Sequence, residues 1–148
     1  MFELFFLAVD STSTALEWAL AYLITHPKIQ ERAYQEVRLV MDGKEGGLLC
    51  LKDLGKLPYL QAVLKETLRK ESIAPLAIVH QTVEESWKER VCAGMDLANF
   101  HVPITLASLL LKFEWACVKE GSPPDLTRHI PSLLVSMKYP LEARITCR

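Results

Sequence analysis

Only 20 residues, from Lys70 to Glu89, separate two charged motifs that each border a helical stretch. The first, Lys65-Glu66-Thr67-Leu68-Arg69, ends the pattern Leu57-Pro58-Tyr59-Leu60-Gln61-Ala62-Val63-Leu64. The second, Arg90-Val91-Cys92-Ala93-Gly94, opens another apolar helical run. Reach is no obstacle, since the 23 residues from Arg69 to Cys92 extend to roughly 80 Å at most. The short connection instead limits how much structure can stand between the two motifs.

Around these motifs the periodicity is mostly helical. Leu16, Leu20 and Leu23 recur at helical spacing, which predicts a helix from Phe2 to about Thr25. His26-Pro27 ends it, because the residue before proline avoids the helical region, and Pro27 suits the first turn of the next helix. That second helix runs to about Met41, with Ile29, Ala33, Val37 and Val40 on one side. Residues 42–47 read as a loop and 51–56 as a short helical turn. A third helix is predicted from Pro58 to Arg69, with Leu60, Leu64 and Leu68 on one face.

Residues 74–83 read as a strand or extended loop, and 86–90 are polar apart from Trp87. A fourth helix is predicted from Ala93 to about Glu114, and Pro103 should kink or divide it. Residues 122–125 are a break, and the stretch 132–146 suggests short strands. The fold class is mainly α with minor β.

At 148 residues the chain suits one ordinary domain. Half of it is apolar and about a quarter charged, a globular balance. A net charge of −1 gives no electrostatic argument for nucleic acid or anionic membranes. Cys50, Cys92, Cys117 and Cys147 form no CxxC pair and no metal-ligand spacing. Their even number is compatible with disulfides, but reduced thiols in an intracellular protein are the better default. The apolar N-terminus lacks a basic start and is interrupted by Glu3, Asp10 and Glu17. It therefore reads neither as a signal peptide nor as a span of ~20 apolar residues. His26, His80, His101 and His129 lie far apart, and there is no phosphate-binding loop or GxSxG element. Nothing positions His80 with Cys92 as a thiol-protease pair.

Five segments in order carry a resemblance: Leu7-Ala8-Val9-Asp10-Ser11-Thr12, Glu66-Thr67-Leu68-Arg69, Arg90-Val91-Cys92-Ala93-Gly94, Phe113-Glu114-Trp115 and Met137-Lys138-Tyr139-Pro140-Leu141-Glu142-Ala143. Together they resemble the haem-binding half of the cytochrome P-450 monooxygenases, most closely those of plants. The resemblance implies a partial cytochrome P-450 fold: a long central helix, helices bearing ExxR and following the cysteine loop, and short C-terminal strands. It implies one incomplete domain, with residues 1–69 running from the central helix to the ExxR helix. Residues 70–89 would be a shortened connection, and 90–148 the cysteine loop, following helix and strands. The family's long strand-rich and meander region, which normally separates the two motifs, has no counterpart in the connection. Met1 falls within the family's central helix, so the membrane anchor and the helices above the haem would not be represented.

The resemblance also assigns roles. Asp10, Ser11 and Thr12 match the oxygen-activating pattern small-Gly-x-acid-Thr-Thr/Ser. There an acid and a hydroxyl at a widened helical turn deliver protons to dioxygen. Leu7 and Ala8 replace the small residue and the glycine, and Ser11 replaces threonine. Read without the resemblance, these three residues are a polar patch or helix cap.

Glu66 and Arg69 share a helix face at i and i+3. The family gives them a buried structural role with a meander arginine as third partner, whereas the pair alone reads as a solvated surface contact. Cys92 would be the axial thiolate of haem iron, with Arg90 bonding a propionate and Gly94 completing Arg-x-Cys-x-Gly. Glu85 and Lys88 stand where the family has phenylalanine and glycine, which disturbs the shielding of the sulfur and the tight loop around it. Without the resemblance, Cys92 reads as a buried, inert thiol.

The implied function is insertion of one oxygen atom from dioxygen into an organic substrate. The implied cofactor is haem, and electrons would come from an NADPH-dependent cytochrome reductase. Relatives sit on the endoplasmic reticulum. The missing segments argue against independent activity, and apolar faces left uncovered would be sticky. The alternative is a non-catalytic truncated remnant, or a helical protein-interaction module without haem.

Overall fold

The computed structural model describes residues 2–42, 49–75, 92, 94–119, 121–130 and 134–148, with only the backbone at 2–7. Helix α1 (Phe2–Thr25) is followed by α2 (Pro27–Met41), α3 (Leu51–Leu54), α4 (Pro58–Lys70) and α5 (Met95–Lys112). Four short strands follow: β1 (Phe113–Ala116), β2 (Arg128–His129), β3 (Ser136–Met137) and β4 (Arg144–Cys147). The pairings are antiparallel, β1 with β4 and β2 with β3. Past Asp42 the loop expected at 42–47, the polar stretch at 86–90 and most of the extended stretch at 74–83 lie outside the described residues.

Beyond Thr14, α1 is apolar on several sides and is buried on several sides. Ala19, Leu20 and Leu23 join Val37, Leu60, Leu64, Leu106 and Leu110 in the main core. Trp18 and Ala21 face another way, into a second cluster with Met137. His26-Pro27 breaks the chain between α1 and α2 as its chemistry requires. Pro27 sits in the first turn of α2, where its missing N–H costs nothing. The Tyr22 carbonyl accepts from the His26 N–H (3.0 Å) and the Thr25 hydroxyl (2.8 Å).

The inner face of α2 differs from the apolar stripe the sequence suggests. Gln30, Ala33 and Val37 are buried, while Ile29 is 36% exposed. The amide is affordable inside because every part of it is bonded. Its nitrogen donates to the carbonyls of Leu23 (3.2 Å) and Trp115 (2.9 Å), and its oxygen accepts from the Trp115 N–H (3.0 Å). Glu36, from the same helix, supplies the cap that Leu57 cannot: its carboxylate accepts from the N–H groups of Tyr59 (2.8 Å) and Leu60 (2.9 Å) at the start of α4. On α3, Asp53 and Cys50 form a capping box, with the Cys50 N–H 3.0 Å from Asp53 Oδ2.

Three expectations change in the second half. Pro103 does not divide α5, which runs through it as one element with Pro103 buried. Phe113-Glu114-Trp115 does not close the helix but forms β1, because β4 returns to pair with it, Trp115 opposite Ile145. Aromatic residues at alternate positions suit that pleated edge. On α4 the inner face is Leu60, Leu64 and Thr67, and Leu68 is 46% exposed.

One polar cluster joins distant elements. The Tyr22 hydroxyl donates to Glu71 Oε1 (2.5 Å), and Arg128 donates to both Glu71 oxygens (2.7 and 3.2 Å). The Lys70 ammonium lies 4.4 Å from the Tyr22 ring centre. Burial first, then the hydrogen bond and the negative charge of Glu71, push the Tyr22 phenol up from 10.0 to about 12, against a lowering by Arg128.

Two outcomes follow from these contacts. Gln30→Ala should lower stability by about 2–4 kcal/mol, since it leaves the Trp115 N–H and two carbonyls without partners. The denaturant midpoint should fall at an unchanged slope. In an alkaline titration followed by tyrosinate absorbance, the last phenol to ionise should do so near pH 12 and disappear in Tyr22→Phe. A raised folded-state value favours the neutral phenol. Its stabilisation is therefore complete below pH 10 and lost as pH rises through about 12.

Candidate functional site

A cavity of about 520 Å³ opens between α1, α4 and α5. Its walls have a simple origin in helical period. Ser11, Thr12 and Ala15 come from one side of α1. Gln61, Leu64, Lys65 and Leu68 recur at three and four residues along α4. Ala98, Asn99, Val102 and Pro103 repeat the pattern on α5, and Ile73 and Ala74 close the space just past α4. The lining is largely apolar and the volume lies in the usual range for a small-molecule site. Leu68, exposed by area, lines this cavity and so faces neither the core nor a flat surface.

Ser11 and Thr12 stand on the cavity wall, and Asp10 is half-buried one residue earlier. The expected widened turn is not formed, as α1 is continuous α-helix through these positions. The Thr12 hydroxyl donates back to the Ala8 carbonyl (2.7 Å), a bond that fits regular helix and leaves the oxygen's lone pairs as acceptors. Ser13 donates to the Asp10 carbonyl (3.1 Å).

Cys92 precedes α5, and its carbonyl accepts the Met95 N–H (3.1 Å). The thiol is free and exposed, so it is not the buried inert residue that a lone cysteine suggests. Its sulfur is not among the cavity-lining groups. Gly94 has an ordinary negative φ, and a Cβ there would lie 4.0 Å from Cys92 Sγ, an ordinary contact. Arg90 lies outside the described residues.

Glu66 and Arg69 do pair, through two bonds of 2.7 Å, but in solvent. Their side chains are 55% and 70% exposed, so the buried role that the resemblance implies is not the one adopted. The Arg69 hydrogen bond holds the Glu66 carboxyl below its usual range, and Glu66 raises Arg69 in turn. The carboxylate that is buried at this end of α4 is Glu71, at 3% exposure. Sequence reading missed it, along with the α5 wall. The wall was within reach of helical period, but the partners of Glu71 are 49 and 57 residues away.

A thiolate-held haem of the kind the resemblance implies would need apolar walls, a cysteine thiolate as donor and hydroxyls to pass protons. The donor chemistry fits in kind: a free thiol heads α5, and Ser11 and Thr12 share a cavity with that helix. Among the described residues, no group of three or more His, Cys, Asp or Glu gathers to hold another metal. None of the described helices is long and apolar enough to cross a membrane.

Comparison with known proteins agrees with this arrangement. The family model for cytochrome P-450 matches residues 1–87. The (S)-canadine synthase of Papaver somniferum is 35% identical over 202 aligned positions, which take in 100% of this chain and 41% of that protein. The (S)-canadine synthase of Coptis japonica is 34% identical over 207 positions, covering 100% and 42%. Both alignments are longer than the 148-residue chain, as an internal gap requires. The chain spans about two-fifths of the length of these relatives. A zebra fish cytochrome P-450 solved with progesterone superposes with a TM-score of 0.84 at 24% identity, over 99% of this chain and 44% of that one. A second zebra fish structure, with abiraterone, gives a TM-score of 0.82 over 95% and 45%. The order of the motifs, the helices that carry them and these likenesses agree: the chain belongs to the cytochrome P-450 family.

Proposed function

We propose that this chain is part of a haem-thiolate monooxygenase and supplies the oxygen-facing hydroxyls and the thiolate, but does not turn over alone. The observation that carries this reading is the shared cavity: Ser11 and Thr12 of α1 open onto the same space as the α5 wall, and Cys92 introduces α5. Cys92 would hold the haem iron through its thiolate, with Gly94 in the turn beside it. Arg90 would supply the cation for a propionate. When bound, haem supplies reductive activation of dioxygen and transfer of one oxygen atom to an organic substrate.

The chain's own residues provide the surroundings of that chemistry. The Ser11 and Thr12 oxygens would orient water at the cavity wall, and the Asp10 carboxylate, in the same turn, would pass protons inward. Leu64, Val102 and Pro103 give the space apolar walls suited to an organic substrate. Electrons would come from a cytochrome reductase, the partner that family membership suggests. The exposed sulfur supports the part of the proposal that denies independent turnover.

Reconstitution of the purified chain with hemin tests the reading. After reduction under carbon monoxide, the difference spectrum should show the red-shifted band of a thiolate-ligated haem. Cys92→Ala should abolish the band, and Cys147→Ala, at another exposed thiol, should leave it intact. Failure to take up hemin, or a band indifferent to Cys92→Ala, would make the chain a non-catalytic remnant.

A further inference from the structure

We propose that Glu71 and Arg128 form a tether that positions Ile73 and Ala74, which line the cavity, a role that the outward-facing Glu66–Arg69 pair does not fill. The inference concerns the wall itself and is independent of what the cavity holds.

Helix α4 ends at Lys70, and the chain then turns beneath the cavity. At the turn, the buried Glu71 carboxylate receives the Tyr22 hydroxyl from α1 and the Arg128 fork from β2 (2.7 and 3.2 Å). Arg128 Nη2 also donates to the Lys70 carbonyl (3.0 Å), one of the carbonyls a helix end leaves open. Two residues on, the Ile73 carbonyl accepts the Val135 N–H (2.8 Å). The Val135 carbonyl in turn accepts from Nε1 of the fully buried Trp18 (3.4 Å).

Residues 71–73 are therefore gripped from both sides, by Tyr22 of α1 and by Arg128 of β2 with Val135 just before β3. Ile73, the last of them, lines the cavity together with Ala74. Among the described residues, the side-chain bonds of Glu66 and Arg69 join one turn of α4 to itself, whereas those of Glu71 reach α1 and β2. Among the described residues, the charged groups recorded against Tyr22 are Glu71, Arg128 and Lys70, and all three belong to this same junction. Arginine is required because one guanidinium reaches both carboxylate oxygens and a backbone carbonyl; a lysine ammonium has no fork.

Native-state hydrogen exchange tests the tether at the Val135 amide, whose partner is Ile73. Arg128→Met should speed exchange at Val135 by ~10-fold or more, with the Val37 and Leu106 amides in the core keeping wild-type rates. Arg128→Lys should give a smaller increase at Val135, as partial rescue. Arg69→Met should leave Val135 unchanged. An unchanged Val135 rate in Arg128→Met overturns the proposal. So does equal acceleration at Val135, Val37 and Leu106, which would make the pair a general stabiliser and not a local one. If Arg128→Met does not fold, Arg128→Lys is judged by the same local criterion, and no selective rise at Val135 would then count against it.

Discussion

A helix that is apolar on several sides cannot give a face to water, and that constraint on α1 arranges the rest of the chain. Leu20 and Leu23 need cover in one direction, and α2, α4 and α5 provide it. Trp18 and Ala21 need cover in another, and Met137 of β3 with Leu126 and Leu141 provides that. The Leu141 N–H donates to Glu17 (3.0 Å), so the strand region is fastened to the same helix by a polar contact as well. Toward its N-terminal end the cover runs out: Ala8, Val9 and Ser13 are exposed, and the cavity opens beside them. The hydroxyl pair thus lies at the boundary between a helix buried as scaffold and a helix left open.

The helices were legible because their signals are local. Proline at the start of α2 and of α4, and leucine at three- and four-residue spacing, need no knowledge of the rest of the chain. What sequence reading misplaced depends on partners far away. Phe113-Glu114-Trp115 is a strand because Arg144–Cys147 comes back to it, and at its own position it is indistinguishable from a helix end. Gln30 is buried, and Ile29 is not, because Trp115 presents backbone groups 85 residues on. Pro103 lies buried within a continuous α5, although its local cost argues for a break.

The candidate site divides in the same way. Ser11 and Thr12 were identified by motif and stand on the cavity wall, and Leu64 and Leu68 share that wall by period. Cys92 was placed correctly before a helix, but its exposure depends on neighbours that no spacing reveals. The Glu71–Arg128 contact has no sequence signal, since an acid and an arginine 57 residues apart occur in almost any chain. Only three-dimensional closure makes them neighbours.

The self-contained pairing of Glu66 with Arg69 has a consequence for how such chains are recognised. The two residues satisfy each other within one turn of α4, so their charges are met without a contact to another helix. A signature of this kind is cheap to retain whatever packing surrounds it. It records lineage without reporting on the architecture around it, much as an inscription survives the relocation of its stone.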